Sequence, residues 1–403
     1  MSRESLRSVR AGRYIKQLQG YRAFVPAALP PDPAVAMTDE IWQELSRADR
    51  ALGRLDAMSE TLPNPDLFVA MYVRKEAVLS SQIEGTQASL IDILEFEANA
   101  GKVNHPNDIQ EVVNYIQAMN MGLKLLPELP VSLRLVREIH HTLLTGVRGG
   151  ERTPGVFRTS QNWIGAPGST IATARFVPPP PDAMMTALSD LERFIHSDEP
   201  MPILVKVGLI HAQFETVHPF VDGNGRVGRL LITFLLCERQ LLRQPLLYLS
   251  HYFKANQTEY YDRLQAVRDR GDWEAWLRFF LHGVAEVAED AADTAQKILQ
   301  RREQDRTVVT RHFGRGAATA LRLLEQLYDR PIVSVQRAAE LCGISTARAN
   351  SLVAAFQQVG ILVEITGRRR DRRFIYDSYI RLLSDERDLW GGKAPQIASE
   401  SEQ

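Results

Sequence analysis

The spacing of apolar positions is helical over most of this chain. Ile41, Leu45, Ala48, Leu52 and Leu55 recur at intervals of three or four, which is one face of a helix over Asp39 to Leu62. Pro63 and Pro65 break it. The same periodicity predicts helices at about 66–81, 86–100, 107–126, 130–145, 182–196, 200–217, 224–240, 256–270 and 271–302. One long stretch, about 150–181, escapes the pattern; it holds Pro154-Gly155, Pro167-Gly168 and the run Pro178 to Pro181. Loops of that length inside a compact domain are uncommon and often functional. Residues 1–35, with Pro26, Pro30, Pro31 and Pro33, read as an irregular arm.

The texture changes from Ala317 onward. Leu321, Leu324 and Leu327 mark a helix that ends near Pro331, and Val333-Ser334-Val335 is a short strand. Two helices, Gln336–Leu341 and Thr346–Val359, flank a turn at Gly343, and Ile361–Thr366 can pair with Arg373–Tyr376. Helix, helix-turn-helix and a two-stranded wing make a winged-helix module over 310–385. The organisation expected is therefore mainly α: an N-terminal region over 1–105, a helical core over 106–305, the winged-helix domain, and a disordered tail over 386–403.

Composition narrows the class. The chain has 403 residues, enough for two or three domains, and 44% hydrophobic residues, enough for sizeable cores. Lys and Arg total 48 against 49 Asp and Glu, so a nucleic-acid role requires a local patch. Cys237 and Cys342 are the only cysteines; they form no metal-ligand spacing, and their scarcity fits a reducing compartment. No signal-peptide pattern and no apolar run long enough to span a bilayer is present, so a cytoplasmic protein with no membrane partner is expected.

The chemistry is concentrated in His218-Pro219-Phe220-Val221-Asp222-Gly223-Asn224-Gly225-Arg226-Val227-Gly228-Arg229. Glycines ahead of an apolar helix expose backbone N–H groups at its positive end and let a phosphate approach closely. Arg226 and Arg229 fall in the first turns and suit phosphate oxygens. Asp222 is a carboxylate of the kind that holds Mg²⁺ together with nucleotide phosphates. His218 has an ordinary pKa near 6.5 and can serve as a base at neutral pH. Base, metal ligand, anion cradle and two arginines together describe phosphoryl or nucleotidyl transfer. A lone Gly-Asn-Gly would be an ordinary helix-capping turn; the whole string is not.

This string resembles the Fic signature H-P-F-x-D-G-N-G-R-x-x-R at every defined position. The resemblance implies a helical Fic core and an enzyme, a protein adenylyltransferase, that moves AMP from ATP to a Ser, Thr or Tyr hydroxyl of a target protein or of itself. It makes His218 the catalytic base and Asp222 the Mg²⁺ ligand. It places Pro219, Phe220, Val221, Gly223, Asn224, Gly225, Arg226 and Arg229 around ATP, with Arg229 on the γ-phosphate. Relatives that phosphorylate depart from the glycine pattern after Asn, whereas Gly225 is kept here, which favours AMP over phosphate. UMP and phosphocholine transfer are the other variants.

Upstream, Ser80-Ser81-Gln82-Ile83-Glu84-Gly85 resembles the family's inhibitory pattern [S/T]-x-x-x-E-[G/N]. By that likeness Ser80 and Glu84 belong to an inhibitory helix whose carboxylate competes for Arg229, beside the ATP site. Alone, the segment would be a helix end stopped by Gly85. Glu84 acting in AMP removal as well is the bifunctional alternative. Gly155 to Pro181 resembles the segment that holds the flap, with a β-hairpin expected over Thr170 to Val177. Tyr248 to Asn256 resembles the adenine side, where Asn256 is the base or ribose contact; Gln213 is a further nucleotide candidate. His211, His251 and His282 read as structural.

The run Arg368-Arg369-Arg370-Asp371-Arg372-Arg373 falls at the wing turn. It fits DNA phosphates, with Arg348 and Asn350 on a recognition helix. It equally fits a solvated turn on a protein-interaction or homodimer platform, so a DNA-binding regulator with a self-modifying core stands as the rival function.

Overall fold

A computed structural model describes residues 9–61, 65–98, 106–147, 153–166, 168–368 and 370–383. The break at Pro63 and the tail over 386–403 lie outside the described residues.

The arm is not irregular. Gly12–Lys16 (β1) and Arg22–Pro26 (β2) form an antiparallel hairpin in the register Gly12↔Pro26 to Lys16↔Arg22. Ala23 and Phe24 are both buried after exposed Arg22, so β2 shows no strand alternation that would stand out from the prolines around it. The hairpin is tied in by the Phe24 N–H, which donates to the Val177 carbonyl at 2.9 Å.

The helices follow as α1 (Asp39–Thr61), α2 (Pro65–Ile83), α3 (Leu90–Ala98), α4 (Pro106–Leu125), α5 (Leu133–Leu144), α6 (Pro181–Ile195), α7 (Ile203–Val217) and α8 (Asn224–Glu238). Then come the short α9 (Ser250–Ala255), α10 (Gln257–Arg270) and α11 (Trp273–His312). Helix α3 begins four residues later than its pattern suggested, and α9 is an element the periodicity did not separate from α10. Helix α11 runs 40 residues, about 60 Å at 1.5 Å per residue. It continues through the expected boundary near 305, because Ile298, Arg302, Asp305 and Val309 stay buried on its inner face.

Two helices are buried on every side and so occupy the centre. In α7 each residue from Leu204 to Val217 is buried, and in α8 those from Arg226 to Leu236. Helix α7 packs against α8 and α11, while α2 lies across α4, α8 and α9. Helix α1 runs along α11, with Arg47–Glu289 and Arg54–Asp293 pairs at the rim. Those pairs are partly exposed and contribute little.

Beyond α11, Ala317–Leu327 (α12), Ile332–Ser334 (β3), Val335–Cys342 (α13), Thr346–Gln358 (α14), Val363–Glu364 (β4), Arg373–Ile375 (β5) and Asp377–Leu383 (α15) follow. Ser334 caps α13 and Ser345 caps α14 by accepting N–H bonds from Arg337 and Arg348. Gly343 ends α13 at φ +65°, the left-handed conformation glycine adopts without cost. The sheet has three strands in the order β3-β5-β4, all antiparallel, so β3 pairs with β5 rather than standing apart. No helix among the described residues is long and apolar enough to cross a membrane.

Candidate functional site

The site forms where α7 ends and α8 begins. His218 stops α7 in a left-handed conformation, φ 48° and ψ 62°, and the chain then turns through 219–223 into α8. A turn this tight is held from outside. Arg268 donates to the Glu215 carbonyl at 3.1 Å. Arg158 donates to the His218 carbonyl at 3.0 Å and to the Pro179 carbonyl at 2.6 Å. Two cations therefore neutralise the negative end of α7. Burial first, then Arg268 and Arg158, push the His218 imidazole down to about 3, so it is neutral at physiological pH. Its Nδ1 is buried without a hydrogen-bond partner, while the residue as a whole is partly exposed.

The loop itself is locked by two groups. Asn224 accepts from the Phe220 N–H at 2.8 Å and donates to the Phe220 carbonyl at 2.9 Å. His140 accepts the Gly155 N–H on Nδ1 at 2.8 Å, so its Nε2 carries the proton and donates to the Asp222 carbonyl at 3.0 Å. The same ring stacks on Phe220 with centroids 3.6 Å apart. Burial lowers His140 to about 4, which keeps it in this neutral, bridging form.

This corrects one expected nucleotide contact: Phe220 is fully buried under His140, and the Asn224 side chain holds the loop that forms the cradle. The Pro219 carbonyl is likewise taken by the Arg158 N–H at 2.9 Å. Val221 is exposed. Gly223 begins α8 at φ 76°. Asp222 is partly exposed, accepts the Gly223 N–H at 2.7 Å and lies 3.9 Å from Arg226.

Arg226 is buried and paired with Glu111 at 3.3 Å. Arg229 is also buried, and three of its contacts come from α2 and the turn that follows. Its Nε donates to Ser80 Oγ at 2.8 Å, and its Nη2 donates to the Ser80 carbonyl at 3.0 Å and to Glu84 Oε1 at 2.7 Å. Burial works against the Arg229 charge, but Glu84 together with Tyr260 and Tyr261 more than offsets it, and the guanidinium is held above its ordinary value. The Glu84 carboxylate rests on Gly225, where a Cβ would stand 2.3 Å from Oε1. The α2 end is fixed in turn by Gln257, whose amide donates to the Ile83 carbonyl at 3.0 Å.

A second carboxyl lies on the same bare face of α8. Glu215 Oε1 is buried without a hydrogen-bond partner and would stand 2.4 Å from a Cβ at Gly228, one turn beyond Gly225. Burial raises Glu215 to about 7, against Arg229. Behind Arg229, Glu76 accepts from Tyr115 and from the Ser250 N–H, each at 3.1 Å, and burial raises it also to about 7.

The remaining candidates make contacts within the chain. Gln213 donates to the Ala27 carbonyl at 2.7 Å and so anchors the N-terminal arm. Asn256 donates to the Tyr252 carbonyl at 3.1 Å where α9 bends into α10. The hairpin expected over Thr170 to Val177 is reduced to one bridge, Ile164↔Phe176, with a turn at Thr170–Thr173. His211 is structural: Tyr260 and the Gly228 carbonyl occupy its two nitrogens at 2.8 and 3.0 Å. Periodicity gave no signal for His140, Arg158, Glu215 and Arg268, because an isolated polar residue in an apolar stretch looks alike whether it meets a loop or solvent.

Residues 42–124 match the family model described as Fic/DOC family N-terminal, and residues 130–236 the one described as Fic/DOC family. A probable protein adenylyltransferase of Aquifex aeolicus (strain VF5) is 28% identical over 175 residues, 43% of this chain and 51% of that protein. Protein adenylyltransferase Fic of Drosophila grimshawi is 27% identical over 190 residues, 45% of this chain and 34% of that one. The chain thus spans about half the length of the first relative and about a third of the second. A crystal structure of a Fic family protein from Desulfovibrio desulfuricans G20 shares the fold, with TM-score 0.56 and 19% identity over 85% of this chain and 97% of that one.

Proposed function

We propose, from the premise that this chain carries the Fic/DOC family's N-terminal segment and its Fic domain, that it transfers AMP from ATP to a protein hydroxyl. The observation that carries the reading is the convergence of a neutral His218, the Asp222 carboxylate, Arg226 and Arg229 around one helix start. In this reaction the acceptor oxygen bonds to the α-phosphorus. The bond from that phosphorus to the bridging oxygen breaks, and pyrophosphate leaves. The acceptor proton passes to the neutral imidazole of His218, on the nitrogen other than the buried Nδ1. His140, Arg158 and Asn224 hold the loop so that base and cradle stay in register.

The donor set suits Mg²⁺. Among the described residues no three of His, Cys, Asp and Glu gather as a metal cage. One partly exposed carboxylate, Asp222, stands at the cradle, and a single carboxylate completed by nucleotide phosphates is the usual Mg²⁺ arrangement. Asp222 would hold the ion, which when bound neutralises phosphate charge.

In the same reading Glu84 and Ser80 hold the enzyme in a low-activity state. Arg229 is the cation available to a γ-phosphate, and all its contacts named above belong to Ser80 and Glu84. The test is intact-mass analysis of the Glu84→Gly protein after incubation with ATP and Mg²⁺, beside Glu84→Gly/His218→Ala. An AMP adduct present in the first and absent in the second is expected. A phosphate adduct, or an AMP adduct that survives loss of His218, overturns the reading.

A further inference from the structure

A charged surface away from the Fic site lies on the C-terminal module. A groove of about 1250 Å³ opens between α3, α13, α14 and the β4–β5 turn. Arg330, Arg337, Arg368, Arg372 and Arg373 line it. Three acids, Glu97, Glu340 and Asp371, line it too, but two are already engaged: Arg337 holds Glu340 at 2.7 Å and Arg74 holds Glu97 at 3.0 Å. Arg370, on the same turn, is exposed beside Arg368. Arg337, Arg330 and Arg372 are paired with Glu340, Asp329 and Glu364, so the excess of cations sits on the turn, at Arg368 and Arg370.

Thr346, Ala347 and Asn350 of α14 line the groove, Arg348 and Ser351 are exposed on the same helix, and α14 contains no acidic residue over its 13 positions. Small polar side chains on a helix with no negative charge let it approach a polyanion without repulsion. Helix α13 and the Gly343 turn set α14 outward, and Arg372 ties the wing to it by donating to Asn350 at 3.2 Å. A helix presented this way fits the width of the major groove of B-form DNA, and a flanking arginine turn reaches the adjacent phosphates.

We infer that this face docks duplex DNA, with α14 in the major groove and Arg368 and Arg370 on the phosphates that flank it. The inference uses no residue of the Fic site and stands or falls apart from AMP transfer. A single winged-helix contact of about four phosphates predicts a log–log salt slope near −0.9 per phosphate, so a fourfold rise in salt weakens binding on the order of 100-fold.

The experiment is fluorescence anisotropy of the full chain with a labelled random-sequence duplex of about two turns, at 50 and 200 mM NaCl. Wild type and His218→Ala should bind alike and with that salt dependence. Arg368→Ala/Arg370→Ala should weaken binding at least tenfold and flatten the slope by about two phosphates, while Arg368→Lys/Arg370→Lys, which keeps the charge, should restore both. No binding at 50 mM, or binding that the alanine pair leaves unchanged, overturns the inference. So does concentration-dependent self-association through this face without DNA binding, which would make the occupant a second copy.

Discussion

Glu84 Oε1 lies 2.7 Å from Nη2 of Arg229, a contact between residues 145 apart in sequence that closes α2 over the start of α8. The arginine side chain is almost fully buried, while the Glu84 side chain is 35% exposed. A charge-assisted bond of roughly 1.5–3 kcal/mol is therefore discounted for solvent to about 1–2 kcal/mol. Since 1.4 kcal/mol is a factor of ten in rate, Glu84→Gly should incorporate about ten-fold more AMP than wild type. Arg229→Ala should not reproduce this, because the arginine is itself needed. Equal incorporation by wild type and Glu84→Gly in a side-by-side mass assay would return Glu84 to a plain helix end.

Asp222→Ala should remove transfer with little change in melting temperature, since its carboxylate is partly exposed. EDTA should stop the wild-type reaction and Mg²⁺ should restore it. Full turnover in EDTA excludes the metal role given to Asp222.

The His218 imidazole is held down to about 3 by burial and two arginines. A base with a lowered pKa is already neutral well below pH 6.5, so kcat/KM should show no acid limb between pH 5.5 and 8 from this residue. A limb centred near 6.5 that moves when Arg158 or Arg268 is replaced would mean that the ring titrates normally.

Glu215 tests the buried carboxyl. Its folded pKa, about 7, exceeds the ordinary 4.5, so the folded state binds more protons between those values and loses stability as pH rises through them. Glu215→Gln removes that loss. Its gain over wild type in a denaturant midpoint should be larger at pH 8 than at pH 5, by up to about 3 kcal/mol. The same difference at both pH values would show that burial does not hold the proton on.

Gly228→Ala should destabilise the fold by about 1–3 kcal/mol through overpacking, because the new methyl would stand 2.4 Å from Glu215 Oε1 and 3.2 Å from the Phe214 ring. Glu215→Ala in the same chain should recover part of the loss. An unchanged unfolding midpoint for Gly228→Ala would show that α7 and α8 separate freely.

By itself the sequence determined what depends on neighbours along the chain. A 3.6-residue apolar period declares a helix wherever it occurs, so α1, α2, α4, α7 and α8 were legible to within a few residues. The His218–Arg229 string was legible for the same reason: a turn, a helix start and two arginines one turn apart are local geometry. The tertiary structure decided which polar atoms those residues actually meet. Asn224 and Gln213 carry the chemistry of ligand contacts, yet one is spent on Phe220 and the other on Ala27, and only the folded chain brings those carbonyls within reach. His140, Arg158 and Arg268 carry no pattern and became the supports of the loop because α5, the 153–166 stretch and α10 converge on the end of α7. Hydrophobic period is a one-dimensional quantity fixed by burial on a face. A hydrogen bond between residues 60 or 145 apart is a distance, and the sequence holds it only through the packing of everything between them.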